Sequence, residues 1–276
     1  MKRCNWPATY ARLASGTFLV LWALVAVSRG AGAQISVVGN AVDEHNAHPG
    51  EEYVGSVMLR NLTSTAQPVR VYLTDYTFLS DGTSRYDPPG SLPRSNASWI
   101  TPSRGSVIIP PMGVVTVAYT VKVPMTDTLR GTYWSALMFE GAVNFPRQAG
   151  GKQIAVGSIV RYAVQVASHL PESGVAKAIF ENERLERMGA DSGQALEVDL
   201  RNAGERGFRP RVWVEVYDST GALRTRLQQQ RGLLYPGTSI KQRFPLGNLA
   251  RGTYKAVVFA DIHEDAVTAA QYTLRY

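Results

Sequence analysis

Four histidines, His45, His48, His169 and His263, are the residues whose type most readily does chemistry. Asp43-Glu44-His45-Asn46-Ala47-His48 brings two imidazoles and two carboxylates together, all of them ligand types that zinc accepts. Asp261-Ile262-His263-Glu264-Asp265 is a second polar cluster, at the end of an apolar run. Neither implies a third fixed ligand, and nothing beside them marks a general base, so both read as hydrated loops at strand ends. G-x-S-x-G, the P-loop, G-x-G-x-x-G and H-E-x-x-H are all absent. Carboxylate pairs for glycoside hydrolysis assemble from distant strands, but the acids here sit mostly at turns. The expectation is a non-enzymatic chain with no cofactor and no metal. A metal-dependent hydrolase accessory using His45 and His48 is the outlying alternative.

Charge and targeting narrow the class further. Lys2, Arg3 and Arg12 precede an apolar core at residues 18–27, and Ala31-Gly32-Ala33 supplies a small-x-small junction. This reads as a secretory signal over residues 1–33 cut before Gln34, with an uncleaved anchor as the alternative. The leader carries four of the 29 basic residues and none of the 22 acids, so its loss takes the net charge from +7 to +3. No dense Lys/Arg stripe remains, and a nucleic-acid binder needs one. The single cysteine, Cys4, lies in the leader, so an exported chain would be held by its core without disulfides. The mature protein is expected in the periplasm or at the cell surface.

Elements follow from period-two alternation. Val115, Val117, Tyr119, Val121 and Val123 alternate with Thr116, Ala118, Thr120 and Lys122, which makes a strand with one buried face. Residues 154–166 form a longer run of the same kind. Pro49-Gly50, Asp81-Gly82, Pro110-Pro111 and Pro236-Gly237 punctuate these runs as turns. Residues 181–189, charged nearly all round, could add a turn or two of helix. The fold class is all-β: two tandem immunoglobulin-like antiparallel β-sandwiches after a cleaved signal peptide. The first sandwich is expected at residues 34–168 and the second at 175–276, joined by a linker at 169–174.

The division rests on an internal repeat. Arg-Gly-Thr-Tyr occurs at residues 130–133 and again at 251–254. Each copy follows the same order of pieces: a strand ending Arg-Asn (Asn61, Asn202), an aromatic-bearing strand, a glycine turn, a proline turn and another strand. The first half is longer, and the excess matches the Pro/Ser/Gly-rich residues 80–98, which read as a surface insertion. In such sandwiches a tyrosine near the start of strand F bonds back to the backbone at the E–F corner. Tyr133 and Tyr254 are therefore expected as corner residues, with Gly131 and Gly252 supplying the turn conformation.

If Ser135, Leu137 and Phe139 point inward, Trp134 and Met138 point outward. With Tyr72, Tyr76, Ile159 and Arg161 they would form an outer face, and an apolar aromatic face marks a partner surface. The same face could instead pack on the second sandwich or under residues 80–98.

The first half resembles the N-terminal domain of the periplasmic pilus chaperones of the usher pathway. The matching pieces are SVMLRN, Trp99 with Pro102 close behind, VIIPP, an alternating strand, and the long IAVGSIVRYAVQV. The resemblance implies an assembly chaperone that binds pilin-like subunits, or another envelope or surface protein, by β-strand addition through residues 154–166. It also implies a basic pair that anchors a partner carboxylate. Arg161 matches one member by position, while the first strand holds no basic residue before His45. The second half, with NAGE, LLYPG and LARGTYKAVVFAD, is more similar to adhesion or fibronectin-type modules. It is also similar to the cell-surface proteins that bind WxL-type partners, so a secreted cell-wall or matrix-binding module is the alternative function.

Overall fold

The alternating runs become strands because each buries one face of a two-layer core. The computed structural model describes residues 35–149, 152–188, 193–263 and 266–275; for residues 142–149, 152–158, 263 and 266 it describes the backbone alone. The expected leader and its cleavage point lie outside the described residues.

Ten strands build the first sandwich: β1 (Ile35–Val38), β2 (Val42–Asn46), β3 (Glu52–Asn61), β4 (Gln67–Phe78), β5 (Ser84–Asp87), β6 (Ile100–Pro102), β7 (Ser106–Ile109), β8 (Val114–Lys122), β9 (Gly131–Ala149) and β10 (Lys152–Leu170). One sheet runs β1-β3-β8-β6 and the other β2-β10-β9-β4-β5, with β7 also on β4. Leu59, Val69, Ile109, Val117, Tyr119, Leu137, Phe139 and Val164 are among the side chains that fill the space between them.

Seven more strands build the second: β11 (Ala178–Arg187), β12 (Gln194–Asn202), β13 (Arg211–Tyr217), β14 (Leu223–Gln230), β15 (Ser239–Gly247), β16 (Thr253–His263) and β17 (Ala266–Arg275). They form sheets β11-β12-β15 and β14-β13-β16-β17 around a separate core that includes Leu196, Val214, Phe244 and Val258. The fold is all-β and immunoglobulin-like.

The repeat is real at the level of topology. β3 pairs with β8 as β12 pairs with β15, and β4-β9-β10 has the order of β13-β16-β17. Each Arg-Gly-Thr-Tyr copy stands at the entry to the same strand, β9 or β16. The two Arg-Asn ends also match. Asn61 Nδ2 donates to the carbonyls of Thr65 (2.7 Å), Ile109 (3.2 Å) and Pro110 (2.9 Å), and its Oδ1 accepts from Thr63 N–H at 2.9 Å. Asn202 Nδ2 donates to Arg206 (2.7 Å) and Leu234 (3.0 Å), and its Oδ1 accepts from Gly204 N–H at 2.9 Å. One buried amide thus ties the loop after its strand to a distant turn in each sandwich, its NH2 donating twice or more while its oxygen accepts.

Three expectations need correction. Residues 181–187 are strand, because charges that would circle a helix pair across the sheet instead: Arg184 with Glu197, Arg201 with Glu181. A bulge at Glu181/Arg184, with Asn182 at φ 54°, re-aims them. Asp43 to His45 lie in strand β2 and not in a loop. β10 continues through His169 and Leu170, two residues past the expected end of the first sandwich. Residues 80–98 lie mostly exposed, as expected of a surface insertion, and are anchored at their base. The buried Asp75 carboxylate accepts from Gly90 N–H, Leu92 N–H and Ser95 Oγ, and buried Asn96 donates to the Val166 carbonyl at 3.1 Å.

Candidate functional site

β9 and β10 pair without interruption from Gly131↔Leu170 to Ala149↔Lys152. On its other side, among the described residues, β10 pairs with β2 alone, in parallel, over Gln165 to His169. Residues 152–164 therefore form an open sheet edge. Its polarity follows from two bonds: Gln165 N–H donates to the Ala41 carbonyl, and the His169 carbonyl accepts from Ala47 N–H. Along an antiparallel strand a residue's N–H and C=O point to the same side, and the side alternates. The register has no slip, so the odd-numbered residues 153–163 offer donor and acceptor to the open edge while the even ones bond β9. The same parity puts the even-numbered β9 groups away from β10, as Thr132 N–H to Glu205 and Trp134 N–H to Arg94 confirm.

The two edges of this hairpin are unequal. β4 covers β9 only from Ala136 to Gly141. Beyond it Pro146, an even position, presents its missing N–H to the outside, and proline there blocks strand addition. β10 has no proline anywhere along its open edge.

The outer face beside this edge carries a charged row. Arg70, Glu140 and Arg161 stand opposite one another on β4, β9 and β10. Glu140 Oε2 accepts from Arg161 Nε at 2.6 Å and from Tyr72 Oη at 3.0 Å. Those two bonds hold the Glu140 carboxyl below its usual pKa. Arg70 lies over the Tyr72 ring at 4.7 Å. Ile159 is 59% exposed and Ile108 69%, and they flank a groove of about 430 Å³.

The structure brings together only part of the expected outer patch. Ile159 and Arg161 are exposed; Tyr72 and Tyr76 are half-buried; Trp134 and Met138 are buried. Trp134 stacks on Tyr235 of the second sandwich, centroids 4.6 Å apart, and donates from Nε1 to the Tyr76 carbonyl. Of the expected aromatic face, Trp134 thus packs against the second sandwich, whereas Tyr72 bonds Glu140 within the first. Tyr76 stacks on Tyr86 of β5.

Searches against known proteins add an outline. No family model matches the chain, and no curated protein matches it in sequence. Among solved structures it is similar to a chain of the chaperone–tip adhesin complex of CFA/I fimbriae, at 11% identity and TM-score 0.45 over 87% of this chain and 98% of that one. It is similar to the class 5 fimbriae chaperone CfaA at 13% identity and TM-score 0.43, again over 87% and 98%. A chain of the CsuC–CsuE pre-assembly complex from Acinetobacter baumannii Csu pili matches at 13% and TM-score 0.41 over the same shares. Likeness at this level assigns no function.

The first repeat copy works at the joint, and its Tyr133 makes ring contacts in place of the expected corner bond. Gly131 has φ +70°, and a Cβ there would collide with the Glu205 carbonyl of the second sandwich. Thr132 N–H donates to that carbonyl at 2.9 Å, and Thr132 Oγ1 accepts from Gly207 N–H at 2.8 Å and contacts His169 Nδ1 at 2.9 Å. His169 Nε2 lies 3.3 Å from Glu44, which also pairs with Arg209. Burial lowers the His169 pKa. Tyr133 makes ring contacts, with Trp99 at 4.9 Å and under Arg94 at 5.4 Å, while Arg94 Nη1 takes the Arg130 carbonyl. In the second copy Tyr254 Oη donates to the Ala250 carbonyl at 2.9 Å, and Gly252 stays outside the left-handed region.

The histidine clusters take structural partners. His45 Nε2 bonds Glu51 at 2.9 Å and its ring stacks on Tyr53; Asp43 accepts from buried Tyr119. Glu51 also accepts from His48 N–H. Asp261 pairs with Arg211, while the His263 side chain, Glu264 and Asp265 lie outside the described residues. Sequence reasoning missed the joint residues Glu44, Thr132, His169, Arg209 and Tyr235, because nothing local marks which loops two sandwiches press together.

Proposed function

We propose that this is an exported, non-enzymatic protein that binds an envelope or surface protein by accepting an extended segment on the open edge of β10, as the resemblance to pilus chaperones implies. Pilin-like subunits are the partners that resemblance suggests. We read the two sandwiches as its two domains, with the partner site on the first. One observation carries the reading: among the described residues, 153–163 keep alternate backbone donors and acceptors without a strand partner on a proline-free edge, while the opposite edge of the same hairpin is blocked by Pro146. A sequence that protects one edge and leaves its neighbour open favours addition at one side only.

A pair of proline variants tests it. Ile159→Pro removes an edge-facing N–H and leaves the β9 ladder intact; Val160→Pro removes a ladder bond. Ile159→Pro should melt like the parent and lose its co-purified partner. Val160→Pro should lower the melting temperature. An Ile159→Pro protein that is folded and still carries the partner refutes the reading, and so does one that cannot fold.

A further inference from the structure

An added strand extends the rows of side chains that cross the sheet. The row nearest the open edge reads Arg70, Glu140, Arg161, with Arg161 last. The row holds two guanidiniums and one carboxylate, a net positive charge, with Arg161 paired to Glu140 and Arg70 lying over Tyr72. Only Arg161 Nε is used in the bond to Glu140, and the side chain is 57% exposed. A guanidinium has five donors, so its terminal amino groups can meet a second carboxylate. The next row is apolar: Ile108 opposite Pro68, and Ile159 on β10. The row on the other side ends at Ala163, beyond Tyr72 and Met138. On the inner side the edge offers Val160, Tyr162 and Val164.

Cross-strand neighbours on one face set the preference of an added residue: opposite charges attract, like charges repel, and apolar residues favour apolar ones. We propose that the partner segment carries an acidic side chain opposite Arg161, an apolar one opposite Ile159 and a small one opposite Ala163, with apolar residues between them on the inner side. An acid there completes an alternating Arg-Glu-Arg-acid row. This rests on the strand-addition reading and adds the partner's chemistry to it.

The test uses labelled peptides Ser-Val-Ile-Glu-Val-Ala-Ser and the same peptide with Lys for Glu. The full chain should bind the Glu peptide about five- to tenfold tighter than the Lys peptide, the factor expected from exchanging an attractive for a repulsive cross-strand pair. Arg161→Ala should erase the difference and Arg161→Glu reverse it, each with an unchanged thermal midpoint for Arg161→Ala as the folding control. Equal affinity for both peptides, lost in Ile159→Pro, overturns the charge inference and leaves the edge reading standing. Binding of neither peptide, with the odd-numbered amides of β10 gaining no exchange protection, overturns both.

Discussion

Acidification should loosen the joint between the sandwiches through His169. The side chain is 19% exposed, with Thr132 Oγ1 on Nδ1 and Glu44 on Nε2. Burial lowers its pKa most; Glu44 opposes that, and Arg206 and Arg209 reinforce it. A histidine whose folded pKa is depressed is neutral in the folded state while its unfolded counterpart protonates near 6.5. Its contribution to stability is therefore intact above that value and is lost as pH falls toward the folded pKa. Within that window the limiting slope for one proton is about 1.4 kcal/mol per pH unit. At 19% exposure the group is shielded enough that surface screening removes little of this. The assay is urea unfolding of the full chain from pH 7.5 down to 5. His169→Asn serves as the reference, because its amide can still meet Thr132 and does not titrate. Subtracting the two curves cancels the other histidines and the carboxylates. The parent should lose stability relative to the variant below about pH 6.5. A difference that is flat with pH, or one in which the parent gains on acidification, would show that Glu44 outweighs burial and refute the reasoning.

Asn61→Ala and Asn202→Ala should each cost about 2–4 kcal/mol in urea unfolding, since each removes several bonds and strands buried carbonyls such as that of Ile109 or Leu234. Tyr254→Phe should cost about 1 kcal/mol for its bond to Ala250, whereas Tyr133→Phe, whose contacts are those of the ring, should stay within about 0.5 kcal/mol; equal losses at both would show a matching corner in each sandwich. Trp134→Ala removes the stack on Tyr235 and should split a single unfolding transition into two while costing about 3–5 kcal/mol. One unsplit transition would mean the other joint contacts suffice.

How much of this was legible beforehand depends on range. Alternation located the strands, because period two reports a buried face within a few residues, and the Arg-Gly-Thr-Tyr repeat marked the same strand entry twice. Alternation also separated Leu137 and Phe139 from Trp134 and Met138, but it could not say that both faces of β9 are buried. That depends on Tyr235, a hundred residues away in the chain. Nor could it separate the two glycines of the repeat. Gly131 meets the second sandwich and needs both its missing Cβ and its positive φ, while Gly252 does neither. Charge around residues 181–187 misled because helical and cross-strand pairing draw on the same residue types.

The open edge gains its meaning from how the others are closed. β5, β6 and β7 are three or four residues long, and β6 ends in Pro102. β11 is bulged and charged. β14 carries Arg224 and Arg226, and its Gln229 and the following Arg231 reach across to carbonyls of β15. β17, another long edge, lies against β11. Each is a known way of preventing a strand from joining. β10 carries Lys152 and Arg161 but is long, unbulged, proline-free and uncovered before Gln165, where the chain leaves its edge at residues 39–41 to place β1 in the opposite sheet. That crossover exposes part of the edge: had β1 continued beside β10 in the register of β2, the donors of residues 159, 161 and 163 would be paired. β2 therefore divides β10 into a closed part that holds the joint through Glu44 and His169, and an open part that includes Ile159 and Arg161. A partner long enough to run past Ala163 meets β2 end-on, so the length of segment the edge can accept is set by the same strand that ties the two sandwiches together.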